Sequence, residues 1–283
     1  LGLDFLKAGL LDRADQAFSR LESGSRAEQA LRHRLEIAEL VRDWPLAMSL
    51  AARLPVVGSA GKDSRRSIIH FHCELAAKAM AAGDAAGFDR AAGHLTDAET
   101  IGADHPRVVL MRAELAMLRG DPEQALQAWE RLRRRHPDWF VLGARPWLQA
   151  HRTVGRLDEG LAMLESQFES QRSIELFLAI LEARLERDGP ARAIDWGRGA
   201  LARAPSLVGL DRLLELEAGV SEAGARREEL TLTRGLLRHQ VQRQSRYVCA
   251  HCGFRARQYY WQCPGCNRWE SCAPQRAEEL KQA

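Results

Sequence analysis

Four cysteines near the end of the chain, Cys249, Cys252, Cys263 and Cys266, stand as two CxxC pairs with ten residues between them. In such a turn two thiolates point at one ion while backbone N–H groups hydrogen-bond the sulfurs, and two facing turns supply a tetrahedron of ligands. Zinc and iron both accept four thiolates, so ligand type leaves the metal open between them. One ion is the expected cofactor, with zinc favoured in purified protein. A segment this short has too little core of its own, so metal binding must offset its folding cost. A redox dithiol fits less well, because there are two facing pairs and no strand–helix context before either. The four cysteines suffice as ligands, which leaves His251 as a surface residue.

Other reactive side chains lead to blander readings. His70 and His72, in the run His70-Phe-His-Cys73, lie on a helical pattern that sends them to different faces, so they cannot share a metal. Cys73 reads as a small core residue and Cys272 as a free thiol. Arg131 to His136 reads as the solvated end of a helix, where cations suit the macrodipole. Around the cysteines, Arg246, Arg255, Arg257, Arg268 and Arg276 face the single acid Glu270. The aromatic residues Tyr247, Phe254, Tyr259, Tyr260, Trp261 and Trp269 accompany them. That combination can stack bases and touch phosphate, but in so small a module the rings are expected to pack the hairpin and dock it on the last repeat helices. There is no GxSxG, no phosphate-binding glycine loop and no HExxH, so no catalytic residue is assigned and an enzyme is not expected.

The elements that must hold the cysteines are read from a recurring turn-plus-helix phrase. It spans Ala8–Ala14, Arg42–Ala47, Ala82–Phe88, Arg119–Ala125, Val154–Gly160 and Arg187–Ala193, and its last small or apolar positions are 14, 47, 88, 125, 160 and 193. The resulting intervals of 33, 41, 37, 35 and 33 residues centre on the tetratricopeptide period of roughly 34. Gly or Asp ends one helix, and Pro122 and Pro190 open the next where a missing N–H is tolerated. The expectation is an all-α, right-handed superhelix of six or so helical hairpins over residues 1–245. A rubredoxin-like or zinc-ribbon module follows over 246–276, then a tail over 277–283. Residues 54–65, rich in turn formers, are expected to form a longer loop. Helical patterns around Leu207 to Leu237 close the array, and the short link from Gln242 to Arg246 predicts that the metal module is seated on those last helices.

Composition agrees with a helical protein: of 283 residues 46% are hydrophobic and only 6% aromatic. Lys plus Arg (41) and Asp plus Glu (38) leave a net charge of +3, too little for a global field toward nucleic acid or anionic membrane. No apolar run is long enough to span a bilayer. The first residues read as an ongoing helix, so the chain is expected to be a fragment of a longer protein. Six cysteines are too few for a disulfide framework, and their clustering favours metal ligation in a reducing compartment.

Tetratricopeptide phrases followed directly by a CxxCGF…YWxCPxC knuckle form a specific order of parts. Tyr247-Val-Cys-Ala-His-Cys-Gly-Phe, Tyr260-Trp-Gln-Cys-Pro-Gly-Cys, Ala8-Gly-Leu-Leu-Asp-Arg-Ala14 and His70-Phe-His-Cys-Glu-Leu-Ala76 carry it most sharply. In these stretches the chain resembles the lipopolysaccharide assembly protein B (YciM) family of Gram-negative bacteria. The resemblance implies an inner-membrane adaptor on the cytoplasmic side, anchored by an N-terminal helix absent from this fragment. It implies that the adaptor promotes degradation of the deacetylase LpxC by the protease FtsH, and that a YejM/PbgA-type membrane protein opposes it. The implied partners are these and other lipopolysaccharide assembly proteins, with no small-molecule substrate and no nucleic acid. The competing readings are a nucleic-acid-binding zinc ribbon and a rubredoxin-like electron carrier. Asn267, where many such turns have Gly, weakens the second of them.

Overall fold

The turn phrases do what their residues dictate. Gly9, Gly83, Gly120, Gly155 and Gly189 all hold φ between 73° and 80°, and in the copy without glycine Arg42 takes φ 58°. This is the left-handed position at which a helix stops, and glycine fills it without a steric cost. Three of the following helices are capped by the aspartate of the phrase: the Asp43, Asp84 and Asp121 side chains accept from the backbone N–H groups of Leu46, Gly87 and Gln124. Such caps contribute about 1 kcal/mol each.

The computed structural model describes residues 1–54, 58–243, 245–272 and 274. The chain forms two compact units, Leu1–Leu115 and Ala116–Ala283. In the first, α1 (Gly2–Lys7) and α2 (Leu11–Ser19), α3 (Ala27–Leu40) and α4 (Trp44–Arg53), and α5 (Gly58–Met80) and α6 (Ala85–Ile101) are successive helical hairpins, followed by α7 (Pro106–Leu118). The second contains α8 (Pro122–Arg135) and a short α9 (Pro137–Phe140) that runs through a 3-10 turn into α10 (Ala144–Thr153). It continues with α11 (Leu157–Gln171), α12 (Ile174–Asp188), α13 (Pro190–Arg203), α14 (Leu207–Val220) and α15 (Ala225–Arg243). Two-residue strands β1 (Tyr247–Val248) and β2 (Arg255–Ala256) pair antiparallel at the end. The all-α repeat fold with a small four-cysteine module is therefore observed. Among the described residues no helix is long and apolar enough to cross a membrane.

Two expectations are corrected. The stretch 54–65 is not a loop throughout, since α5 already begins at Gly58 and only residues 55–57 lie outside the described helices and turns. Its later turns are locked against α6 through Ile69, Cys73 and Ala76, packed on Ala91, Leu95 and Ala98. A helix so anchored propagates by one backbone hydrogen bond per residue, which outweighs about 1 kcal/mol per interior glycine. In the third phrase the close-approach position is Gly87, one residue before Phe88: a Cβ at Gly87 would lie 2.5 Å from the Ala79 carbonyl oxygen.

The other small positions behave as expected, with Ala14, Ala47, Ala125 and Ala193 fully buried. Gly160 on α11 is the tightest of them in the second unit. A Cβ there would meet the His151 ring at 2.6–2.8 Å, and that ring is itself held edge-on against Trp147 at 4.4 Å. Replacing Gly160 by Val should therefore force α10 and α11 apart and cost roughly 1–3 kcal/mol. For a unit of this size that is a fall of ~5 °C in the thermal midpoint, readable by calorimetry, while Gly160→Ala should cost less.

Candidate metal centre

Each CxxC forms the same tight knuckle. The Cys249 N–H donates to the Phe254 carbonyl at 2.8 Å and the Gly253 N–H to the Cys249 carbonyl at 3.0 Å. In the second turn the Cys263 N–H donates to the Arg268 carbonyl at 2.9 Å and the Asn267 N–H to the Cys263 carbonyl at 2.8 Å. Gly253 and Asn267 occupy equivalent places and share the left-handed conformation, φ 73° and 56°. Asn is among the residues that tolerate it, so Asn267 keeps the backbone of the turn where Gly is common. That departure has a conformational meaning and carries no weight against electron transfer. A Cβ at Gly265 would sit 3.2–3.4 Å from Phe254 and the Cys252 sulfur, so glycine also lets the two knuckles close on each other.

This closure brings the four sulfurs together. Cys249 Sγ and Cys266 Sγ are 3.7 Å apart, as are Cys252 Sγ and Cys263 Sγ, and all four lie within 4.8 Å of one another. A tetrahedron with metal–sulfur bonds of ~2.3 Å has edges of ~3.8 Å, whereas a disulfide needs sulfurs ~2.05 Å apart. The donor set thus fits one tetrahedral thiophilic ion, held by the four cysteines named from the sequence. Backbone N–H groups point at the sulfurs, that of Cys252 at Cys249 Sγ and that of Gly265 at Cys263 Sγ. The Ser271 hydroxyl lies 3.2 Å from Cys249 Sγ and is a supporting contact that spacing alone does not reveal. His251 is exposed, Cys73 lies in the α5/α6 core, and Cys272 is a buried free thiol in the core of the knuckle.

The electrostatics call for a cation. Burial raises the pKa of Cys249, but the Ser271 hydroxyl and the N–H groups of Cys252 and His251 outweigh it and bring the thiol down to about 5. Cys266 is pushed up to about 12, by burial first and then by the neighbouring cysteines. At pH 7 the metal-free site therefore holds at least the Cys266 proton, which a bound dication must displace. Affinity then falls tenfold per pH unit for each proton released. Zinc affinity measured by chelator competition should weaken by at least about 100-fold from pH 8 to pH 6; a flat response would mean that the thiols are already ionised.

The aromatic residues are the cement of the module. Tyr247 is buried and the other five rings are half-buried, and Tyr247, Tyr259 and Trp261 are engaged with one another. Arg255, Arg257 and Arg268 are exposed, and Arg276 lies outside the described residues. Trp261 stacks face to face on Trp139 of α9, with ring centroids 4.9 Å apart and an 8° interplanar angle. Tyr259 meets the same Trp139 edge-on at 5.7 Å. The Tyr247 hydroxyl donates to Glu175 Oε1 at 2.7 Å. Glu175 stands in the first turn of α12, where the Ser173 hydroxyl caps the helix and also donates to Glu175 Oε2 at 2.6 Å. Among the described residues the knuckle is therefore docked on the repeats, as expected, through contacts with α9 and α12, where the sequence pointed to the helices around Leu207 to Leu237. Trp139 and Glu175 were missed in the sequence. The available signal was a tryptophan directly after Pro137 and Asp138, beyond the last position the repeat pattern needs.

The family described as a rubredoxin metal binding domain matches residues 247–274. Along the whole chain the sequence is similar to lipopolysaccharide assembly protein B of Escherichia coli strain K12. The two are 29% identical over 279 residues, covering 98% of this chain and 70% of that protein. The same-named protein of Haemophilus influenzae is 26% identical over 280 residues, covering 99% of this chain and 69% of its own length. Among solved structures, a tetratricopeptide repeat protein from Parabacteroides merdae overlays with a TM-score of 0.44 at 12% identity, covering 84% of this chain and 96% of the other.

Proposed function

We propose that this chain, a relative of lipopolysaccharide assembly protein B along 98% of its length, is a non-catalytic adaptor in lipopolysaccharide assembly. The observation that carries the reading is that the similarity runs through the repeats and the four-cysteine knuckle together. Stacked helical hairpins present extended surfaces suited to proteins and peptides. In the second unit α10 and α12 border a groove of about 310 Å³, lined among others by Arg145, Gln149, Arg152, Glu182 and Glu186. Arg145 pairs there with Glu182 at 2.9 Å, and Arg152 with Glu186. Exposed pairs of this kind contribute only ~0–1 kcal/mol, so a charged segment of a partner can exchange them at little cost.

In its finer form the proposal follows the resemblance. The adaptor brings the deacetylase LpxC to the membrane protease FtsH on the cytoplasmic side of the inner membrane, and a YejM/PbgA-type protein restrains it. The docked aromatic rings favour this over the nucleic-acid reading, because Trp261 and Tyr259 already spend their contacts on Trp139. Affinity purification of the full-length protein from membranes, with and without residues 246–276, tests it. LpxC and FtsH should accompany the intact protein and be depleted without the knuckle, and LpxC should persist longer in cells carrying Cys263→Ser and Cys266→Ser. An unchanged LpxC lifetime together with absence of both proteins from the purified material would overturn the proposal.

A further inference from the structure

The run His70-Phe-His-Cys73 sends its two histidines to different faces of α5, and each finds its own surroundings. His70 is fully buried beside Arg107, its Nδ1 lying 3.2 Å from the guanidinium that also donates to Glu74. His72 instead faces α6. There His94 and Asp97, three residues apart and so on one face of the helix, come toward it. One ligand atom from each of His72, His94 and Asp97 lies within 4.8 Å of the other two.

We propose that His72, His94 and Asp97 form a second metal site, for a divalent ion of the zinc, cobalt or nickel class, that clips α5 to α6. Two observations beyond proximity support it. His72 is only 7% exposed, and its Nδ1 is buried with no hydrogen-bond partner, as is Nδ1 of His94. Buried polar atoms of this kind are rare unless something satisfies them. The nearest carboxylate does not: His72 Nδ1 and Asp97 Oδ2 are 3.9 Å apart, too far for a hydrogen bond. The two imidazoles are also close, with ring centroids 5.7 Å apart. Imidazole and carboxylate together are the ligands of borderline divalent ions, with bonds of ~2.0–2.2 Å, so a modest inward turn of the side chains closes the shell around an ion. Asp97 is exposed and His94 half-buried, which leaves an entry path from solvent and a fourth position for water. This site differs in kind from the knuckle. It has no sulfur, it bridges two helices of the first unit, and three ligands with one open position make its ion exchangeable where the tetrathiolate is closed.

The test uses the full chain with the knuckle already loaded with zinc, so that only a second equivalent is read. Calorimetric titration with zinc should show one further ion per chain. Cobalt taken up at the same site should absorb in the visible region without the sulfur-to-metal charge-transfer band of a thiolate site. The second equivalent should disappear in His94→Gln and weaken roughly tenfold or more in Asp97→Asn, while the knuckle zinc stays. Asp97 is exposed, so its variant folds whatever the role of His72. Added zinc should also slow amide exchange across α5 and α6 in the wild type and not in His94→Gln. Failure of the zinc-loaded chain to take a second ion overturns the proposal. So does a second ion bound equally well by the wild type, His94→Gln and Asp97→Asn.

Discussion

Replacing Cys263 and Cys266 by serine is expected to release the metal and unfold residues 247–272, with a larger effect on stability than any substitution in the repeats. The strands that frame the site are two residues long, and its buried core consists of Tyr247, Ala256 and three of the cysteines. A structural zinc contributes an apparent ~10–16 kcal/mol to modules of this kind at neutral pH, as much as the whole net stability of a typical domain, ~5–15 kcal/mol. Metal content by mass spectrometry should fall to zero at the knuckle, and the amide resonances of Gly253 and Asn267 should collapse into the range of an unfolded chain. A folded, metal-free knuckle would show that its aromatic packing suffices alone.

Trp139→Ala is expected to have the next largest consequence, because one side chain of the repeats carries both aromatic contacts from Trp261 and Tyr259. Each such pair is worth ~0.5–1.5 kcal/mol beyond the area it buries. The variant should therefore lose ~1–3 kcal/mol of coupling between knuckle and helices while the four cysteines keep their metal. In calorimetry one transition of the second unit should split into two, and limited proteolysis should open the chain near residues 244–246. Trp139→Phe should restore part of the coupling, since it keeps a ring for Trp261 to stack on. The Tyr247 hydroxyl bond to Glu175 gives the separation a second check, because Tyr247→Phe should weaken the docking without touching the stack.

What the sequence reveals here is what is local. Gly9, Gly83, Gly120, Gly155 and Gly189 all end helices at positive φ, so the repeat turns are legible as punctuation. The four cysteines are legible because a tetrahedron with two ligands per turn imposes the CxxC spacing itself. The seat of the knuckle is not local. Tyr247 and Glu175 are 72 positions apart, and the short link after α15 pointed to the neighbouring helices, whereas Trp139 and α12 meet the knuckle through long-range contacts. The pattern in α5 places His70 and His72 on different faces but says nothing of what α6 brings opposite them. Phe88 drew the repeat marker one residue late because an apolar side chain stood next to Gly87. Only the approach of the Ala79 carbonyl oxygen, which would stand 2.5 Å from any Cβ at position 87, identifies the residue that must be small.

The metal knuckle and the helices of the second unit are expected to unfold as one body. Hydrogen exchange on the zinc-loaded protein and on the Cys263→Ser, Cys266→Ser variant measures this directly. If they unfold together, loss of the metal speeds exchange in Pro137–Phe140 and in the first turns of α12, while α5 and α6 in the first unit keep their protection. If α12 stays as protected as before while the knuckle exchanges freely, the two modules are independent and the docked aromatic contacts couple nothing.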